Sequence, residues 1–216
     1  MQFKNAFIFL MDNSHYYKLA GGENNPCLYA IDAINHTRAN IVHYNYNKNY
    51  KYKIVMDLRK FLKNLKTSPL NKAKTFIACF DDVNPVGRIE MAGFLLEVLA
   101  LLREFDEKPW PTRKTADIFD EKYEFYFNGE VIFPVLMCRN HDSEARRSLY
   151  TMVAFQPGSI FDYLKKIESE RYCVMRKSIH RRLDFLFKNN LPFYLSEKSS
   201  GKNIVQYLGF DPEELM

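Results

Sequence analysis

The apolar run Phe133 to Met137 ends abruptly in Cys138, Arg139, Asn140 and His141, and Arg146 and Arg147 follow within six residues. Val135, Leu136 and Met137 read as a strand entering the core, with Cys138 to His141 turning at its edge, so that an imidazole sits beside an apolar wall. Such a place suits a metal ligand: neutral imidazole binds iron, apolar surroundings limit solvent, and an acceptor on the second ring nitrogen fixes the tautomer. A single histidine at a strand end is, however, more commonly a hydrogen-bonded loop residue. The other histidines, His15, His36, His43 and His180, offer no HxH or HxxxH spacing, which argues against a zinc or non-haem iron site built from adjacent ligands. Arg146, Arg147, Arg176, Arg181 and Arg182 are concentrated in two short stretches. Guanidinium groups pair carboxylates bidentately, so these could hold two propionates or a carboxylated substrate; a solvated helix face is the plainer reading. There is no P-loop, no Gly-rich dinucleotide fingerprint, no GxSxG and no HExxH.

The elements that must position these residues follow from periodicity. Ile41, His43 and Asn45 alternate with Val42, Tyr44 and Tyr46, which predicts a strand with one buried face running into a polar loop. That loop, "HYNYNKNYKYK", interleaves aromatics with Lys48, Lys51 and Lys53, a pattern that can also stack and neutralise single-stranded nucleic acid. Met56, Leu58, Phe61, Leu62 and Leu65 share a helical face. The run from Thr75 to Phe80 is continuously apolar, as in a strand buried on both sides, and Asp81 and Asp82 close it. Gly87 to Lys108 predicts a long buried helix whose polar or small stripe is Glu90, Gly93, Glu97, Ala100 and Glu104, stopped by Pro109-Trp110-Pro111. Asn128-Gly129 between two apolar runs is a hairpin signal, because both residues tolerate positive φ. A further strand, "LYTMVAF", precedes two helices, "SIFDYLKKIES" and "VMRKSIHRRLDFLFK", and then a polar, less regular tail. The expected class is α+β: a mainly antiparallel sheet with a long buried helix and C-terminal helices packed on it, one domain over residues 1–216.

Composition bounds the rest. The 216 residues suffice for a substantial core, and 15% aromatics suggest a core or pocket walled by flat rings. A net charge of +5 permits an anionic partner without pointing to nucleic acid. Cys27, Cys79, Cys138 and Cys173 form no CxxC pair, so neither a zinc knuckle nor a disulfide framework is indicated, and a reduced, cytoplasmic setting is expected. The apolar stretch near Phe7 is too short for a signal-peptide core, and no segment is long and uncharged enough to span a bilayer.

Several of these stretches together resemble the YqcI/YcgG family: Pro26-Cys27, Pro109-Trp110-Pro111, Phe125 and Phe127 with Gly129-Glu130 and Phe133, and Asn140-His141 with Arg147-Ser148. The likeness continues through Phe155-Gln156-Pro157-Gly158 with Phe161, and Arg176, Ile179, Arg182 and Leu183. Asn25, His180 and Ile204-Val205 depart from the pattern. The resemblance implies a haem-dependent N-oxygenase, a monooxygenase that uses haem b and dioxygen to hydroxylate or oxidise a nitrogen of a small guanidino or amino substrate. It further implies His141 as the proximal iron ligand and Arg146 or Arg147 as propionate partners, with Cys27 and Cys138 lining the pocket or serving as alternative thiolate ligands. A cationic guanidine would call for a carboxylate, for which Asp81, Asp82, Asp142 and Glu130 are candidates by position. Two rival expectations stand beside this one: a haem-binding or sensing protein without turnover, and an interaction module without haem. Exposed sheet edges leave room for a homodimer.

Overall fold

The computed structural model describes residues 38–48, 50–67, 74–187 and 202–212. Its elements run β1 (Ala39–Tyr44), α1 (Tyr50–Lys66), β2 (Thr75–Phe80), α2 (Gly87–Glu104), β3 (Phe125–Phe127), β4 (Glu130–Met137), β5 (Thr151–Pro157), α3 (Gly158–Ile167), α4 (Ser169–Phe187) and α5 (Asn203–Leu208). The five strands form one sheet in the order β1-β2-β5-β4-β3. β1 and β2 are parallel, and the other pairs are antiparallel. The class is therefore α+β as expected, but the sheet is mixed. The parallel pair follows from α1, which carries the chain back to the same end of the sheet before β2 begins.

Each strand contributes alternate residues to two faces. On one face Phe76, Ala78, Phe80, Val153, Phe155, Leu136 and Ile132 join the buried sides of α1, α2 and α5 in the larger core cluster. Phe80, fully buried, meets the rings of Tyr44, Tyr50 and Phe94 at centroid distances of 5.0 to 5.7 Å. α2 keeps its polar stripe outward while Met91, Leu95, Val98 and Leu102 are buried. The opposite face is a smaller cluster: Ala39, Ile77, Cys79, Met137, Met152 and Ala154, with Ile41, Val135 and Tyr150 packed against it.

Register puts named residues side by side on this second face. Cys79 lies between His43 and Met152, and Met152 in turn pairs with Met137, so His43, Cys79, Met152 and Met137 form one row across four strands. The expected hairpin is present, with Asn128 and Gly129 at φ of 54° and 75° between Phe127 and Glu130. Two expectations are corrected. The stretch read as a loop after β1 becomes helical at Tyr50, because Tyr50, Ile54 and Leu58 bury one face of α1. The tail read as irregular contains α5, whose Ile204, Val205, Tyr207 and Leu208 are buried. No helix among the described residues is long and apolar enough to cross a membrane.

Candidate functional site

His141 sits where β4 gives way to a tight loop. Cys138 N donates to Arg146 O, and Cys138 O accepts from Ser148 N, so the loop closes on itself before β5 begins. The 3₁₀ turn Glu144–Arg146 lies within it. The imidazole points inward and is 1% exposed. The Ser143 backbone N–H donates to Nδ1 at 3.0 Å, and Nε2 lies 2.8 Å from the carbonyl oxygen of Leu208. A carbonyl only accepts, so Nε2 must carry the proton and Nδ1 the lone pair. The ring is thus a neutral bridge between its own loop and α5. Burial pushes its pKa from the ordinary 6.5 down to about 4, against the opposing effect of the Leu208 carbonyl and with a smaller contribution from Arg146.

The surroundings reinforce that bridge. Gly209, at φ 82°, caps α5 by donating to Val205 O, and a Cβ built there would lie 2.8 Å from both Cε1 and Nε2 of His141. Arg146 donates to Gln206 O at 2.7 Å and to Leu136 O at 3.4 Å, tying α5 to β4. Arg147 donates to His141 O and Asp142 O. Cys138 is fully buried, and burial raises its thiol pKa to about 11.

A haem iron takes an imidazole through a nitrogen lone pair. In this conformation the lone pair of His141 is occupied by Ser143 N–H and the other nitrogen is committed to Leu208. His141 therefore does not fit the group as it stands. Arg146 and Arg147 are directed at backbone carbonyls, and Cys138 is held as a thiol. Cys27 lies outside the described residues. The carboxylates expected to meet a guanidine are dispersed: Glu130 accepts from Ser159 N at the start of α3, Asp142 pairs with Arg88 at 2.7 Å, and Asp82 accepts from the N–H groups of Tyr46 and Asn47.

Asp81 is placed differently. Its Oδ1 lies 2.6 Å from Nδ1 of His43, at the adjacent C-terminal ends of the parallel strands β1 and β2. Carboxylate oxygens accept, so Nδ1 carries the proton and, in the neutral ring, Nε2 bears the lone pair. The side chains are 37% and 50% exposed. Tyr150 meets the His43 ring edge-on at 5.6 Å, and Cys79 and Met152 continue the row beneath it. A histidine oriented through one nitrogen by a carboxylate is the arrangement used both for metal ligation and for proton transfer. Sequence reading missed this pair because its members are 38 residues apart. The available signal was a polar residue near the end of one strand, His43, and another just past the end of its neighbour, Asp81. Among the described residues no group of three or more His, Cys, Asp or Glu side chains is gathered as a metal-binding cluster.

An α+β protein with a five-stranded mixed sheet, a clasped C-terminal helix and a carboxylate-oriented histidine at the strand ends is thus the class that fold and site define. The chain belongs to the YqcI/YcgG family, whose model matches residues 17–215. It is also similar to the uncharacterized protein YcgG of Bacillus subtilis (strain 168), 45% identical over 62 residues, a match that spans 27% of this chain and 24% of that protein. No solved structure matches.

Proposed function

We propose that this chain is a haem-dependent N-oxygenase acting on a small guanidino or amino substrate, and that His43, oriented by Asp81, is the imidazole that meets the iron. What supports the activity is family membership together with the resemblance of its motifs. The one structural observation that carries the site is the 2.6 Å contact between His43 and Asp81 over the apolar second face of the sheet. Haem, when bound, supplies the activation of dioxygen. The residues do the rest. Asp81 fixes the His43 tautomer and makes the ring a stronger donor. Cys79, Met152 and Met137 continue the row from the imidazole across the sheet and are buried. Tyr150 limits rotation of the ring through its edge contact. A cytoplasmic setting belongs to the same reading, supported by the free thiols of Cys138 and Cys173.

The test is to load the full chain with haemin and incubate it with a panel of guanidines and amines, a chemical reductant and ¹⁸O-labelled dioxygen. One labelled oxygen on a substrate nitrogen is expected by mass spectrometry. Stoichiometric haem binding with no oxygenated product from any compound would favour a haem-binding protein without turnover. Absence of haem binding would overturn the reading.

A further inference from the structure

Beyond the end of β1, two tyrosines share one carboxylate. Tyr46, in the turn after the strand, and Tyr50, the first residue of α1, have their rings stacked 4.9 Å apart and 20° from parallel. Both phenols donate to Glu97 of α2, Tyr46 to Oε2 and Tyr50 to Oε1, the latter at 3.4 Å. The rings pack on Phe80 at centroid distances of 6.2 and 5.6 Å, and Phe94 meets Tyr46 at 5.7 Å. Tyr50 is buried, Tyr46 half-buried and Glu97 exposed, so the stacked pair leads from the core to solvent. The backbone fixes this arrangement, because the N–H of Tyr46 donates to Asp82 at 2.7 Å.

A phenol that loses an electron becomes a strong acid, so tyrosine is oxidised readily only where a base stands ready for its proton. Burial, and after it the hydrogen bond to Glu97, push the Tyr46 pKa up to about 12, so the phenol keeps its proton at neutral pH. Glu97 accepts from that O–H and, lying at the surface, can pass the proton on to water. Tyr50, stacked on Tyr46 and bonded to the same carboxylate, shares the electron deficiency that remains. Tyr126 gives the contrast: its acceptor, Glu124, is already paired with Lys114 at 2.7 Å, which opposes protonation of that carboxylate. We propose that Tyr46 and Tyr50, with Glu97 as their shared proton acceptor, form a redox-active tyrosine pair. A one-electron oxidant takes the electron and the O–H proton moves to Glu97, leaving a neutral tyrosyl radical and a protonated carboxyl. A one-electron reductant and the returning proton restore the phenol. The inference is independent of the haem reading, since any outer-sphere oxidant strong enough to oxidise a phenol starts the step.

The experiment is flash photolysis of the full chain with ruthenium tris-bipyridine and a cobalt(III) quencher, followed by transient absorption and by electron paramagnetic resonance of freeze-trapped samples. A neutral tyrosyl radical is expected, formed in a phase whose rate stays level across neutral pH because the proton goes to Glu97 rather than to buffer. Tyr46→Phe with Tyr50→Phe should remove that phase, and Tyr46→Phe alone should diminish it. Glu97→Gln should slow it by about ten-fold or more and make its rate rise with pH. Tyr126→Phe, and Tyr52→Phe at an exposed position, should leave it unchanged. Circular dichroism reports whether each variant folds, and the half-buried Tyr46→Phe decides if the double variant does not. Four results would overturn the inference: no tyrosyl radical in the wild type, an undiminished phase in the folded Tyr46 variants, loss of the phase in Tyr52→Phe or Tyr126→Phe, or wild-type rate and pH dependence in Glu97→Gln.

Discussion

Among the described residues two histidines lie at strand ends, and they are opposites. His141 is 1% exposed, is bonded through both nitrogens to backbone, and is pressed under a glycine. His43 is over a third exposed, has its Nδ1 on the carboxylate of Asp81, and stands at the head of a row of sulfur-bearing side chains. The first arrangement is how a chain uses imidazole as a structural bridge: the neutral ring donates once, accepts once, and satisfies two buried backbone groups that would otherwise be costly. The second is how imidazole is prepared for chemistry, with orientation fixed and the ring near solvent. A motif such as Asn140-His141 can therefore lie in a family pattern because it holds the fold.

The contrast predicts unequal sensitivity to mutation. His141→Ala leaves Ser143 N–H and Leu208 C=O without their partner and opens a cavity beneath α5, an expected cost of about 4 kcal/mol, read as a lowered midpoint in urea denaturation. Next in size is pH. The folded-state pKa of His141 is depressed to about 4 from 6.5, so its stabilising contribution is complete above 6.5 and is lost as pH falls from there toward 4. The loss is on the order of 3 kcal/mol, and His141→Gln should abolish that part of the pH dependence in urea melts at pH 7 and pH 4. Gly209→Ala forces a side chain into a left-handed conformation against the imidazole, for roughly 2 kcal/mol, again by denaturation. Smallest of all, His43→Ala breaks one part-exposed pair and should change stability by at most about 1 kcal/mol. A large destabilisation by His43→Ala, or a negligible one by His141→Ala, would break the comparison.

Much of the fold was legible in sequence, and the reasons differ by element. β2 and α2 announced themselves because burial dictates composition over a long run, and the hairpin because Asn128-Gly129 satisfies a backbone requirement. The start of α1 was hidden because Tyr50, Lys51, Tyr52 and Lys53 alternate like a strand, and only packing of Tyr50 under Phe80 reveals the helix. α5 was hidden because six residues carry almost no periodicity; it is helical through what it touches, as where Tyr207 meets the Phe133 ring at 4.8 Å. The candidate site was half legible. His141 was singled out, but its second partner, the carbonyl of Leu208, lies 67 residues away and carries no side-chain signature. His43 and Asp81 required knowing that β1 and β2 run parallel.

The most direct measurement is a haemin titration followed at the Soret band, run side by side on the wild type, His43→Ala and His141→Gln. The account predicts saturable binding with an imidazole-type spectrum in the wild type, loss of that spectrum in His43→Ala, and its retention in His141→Gln. The reverse pattern, with the spectrum kept in His43→Ala and lost in a folded His141→Gln, would contradict it and would return the iron ligand to the loop after β4.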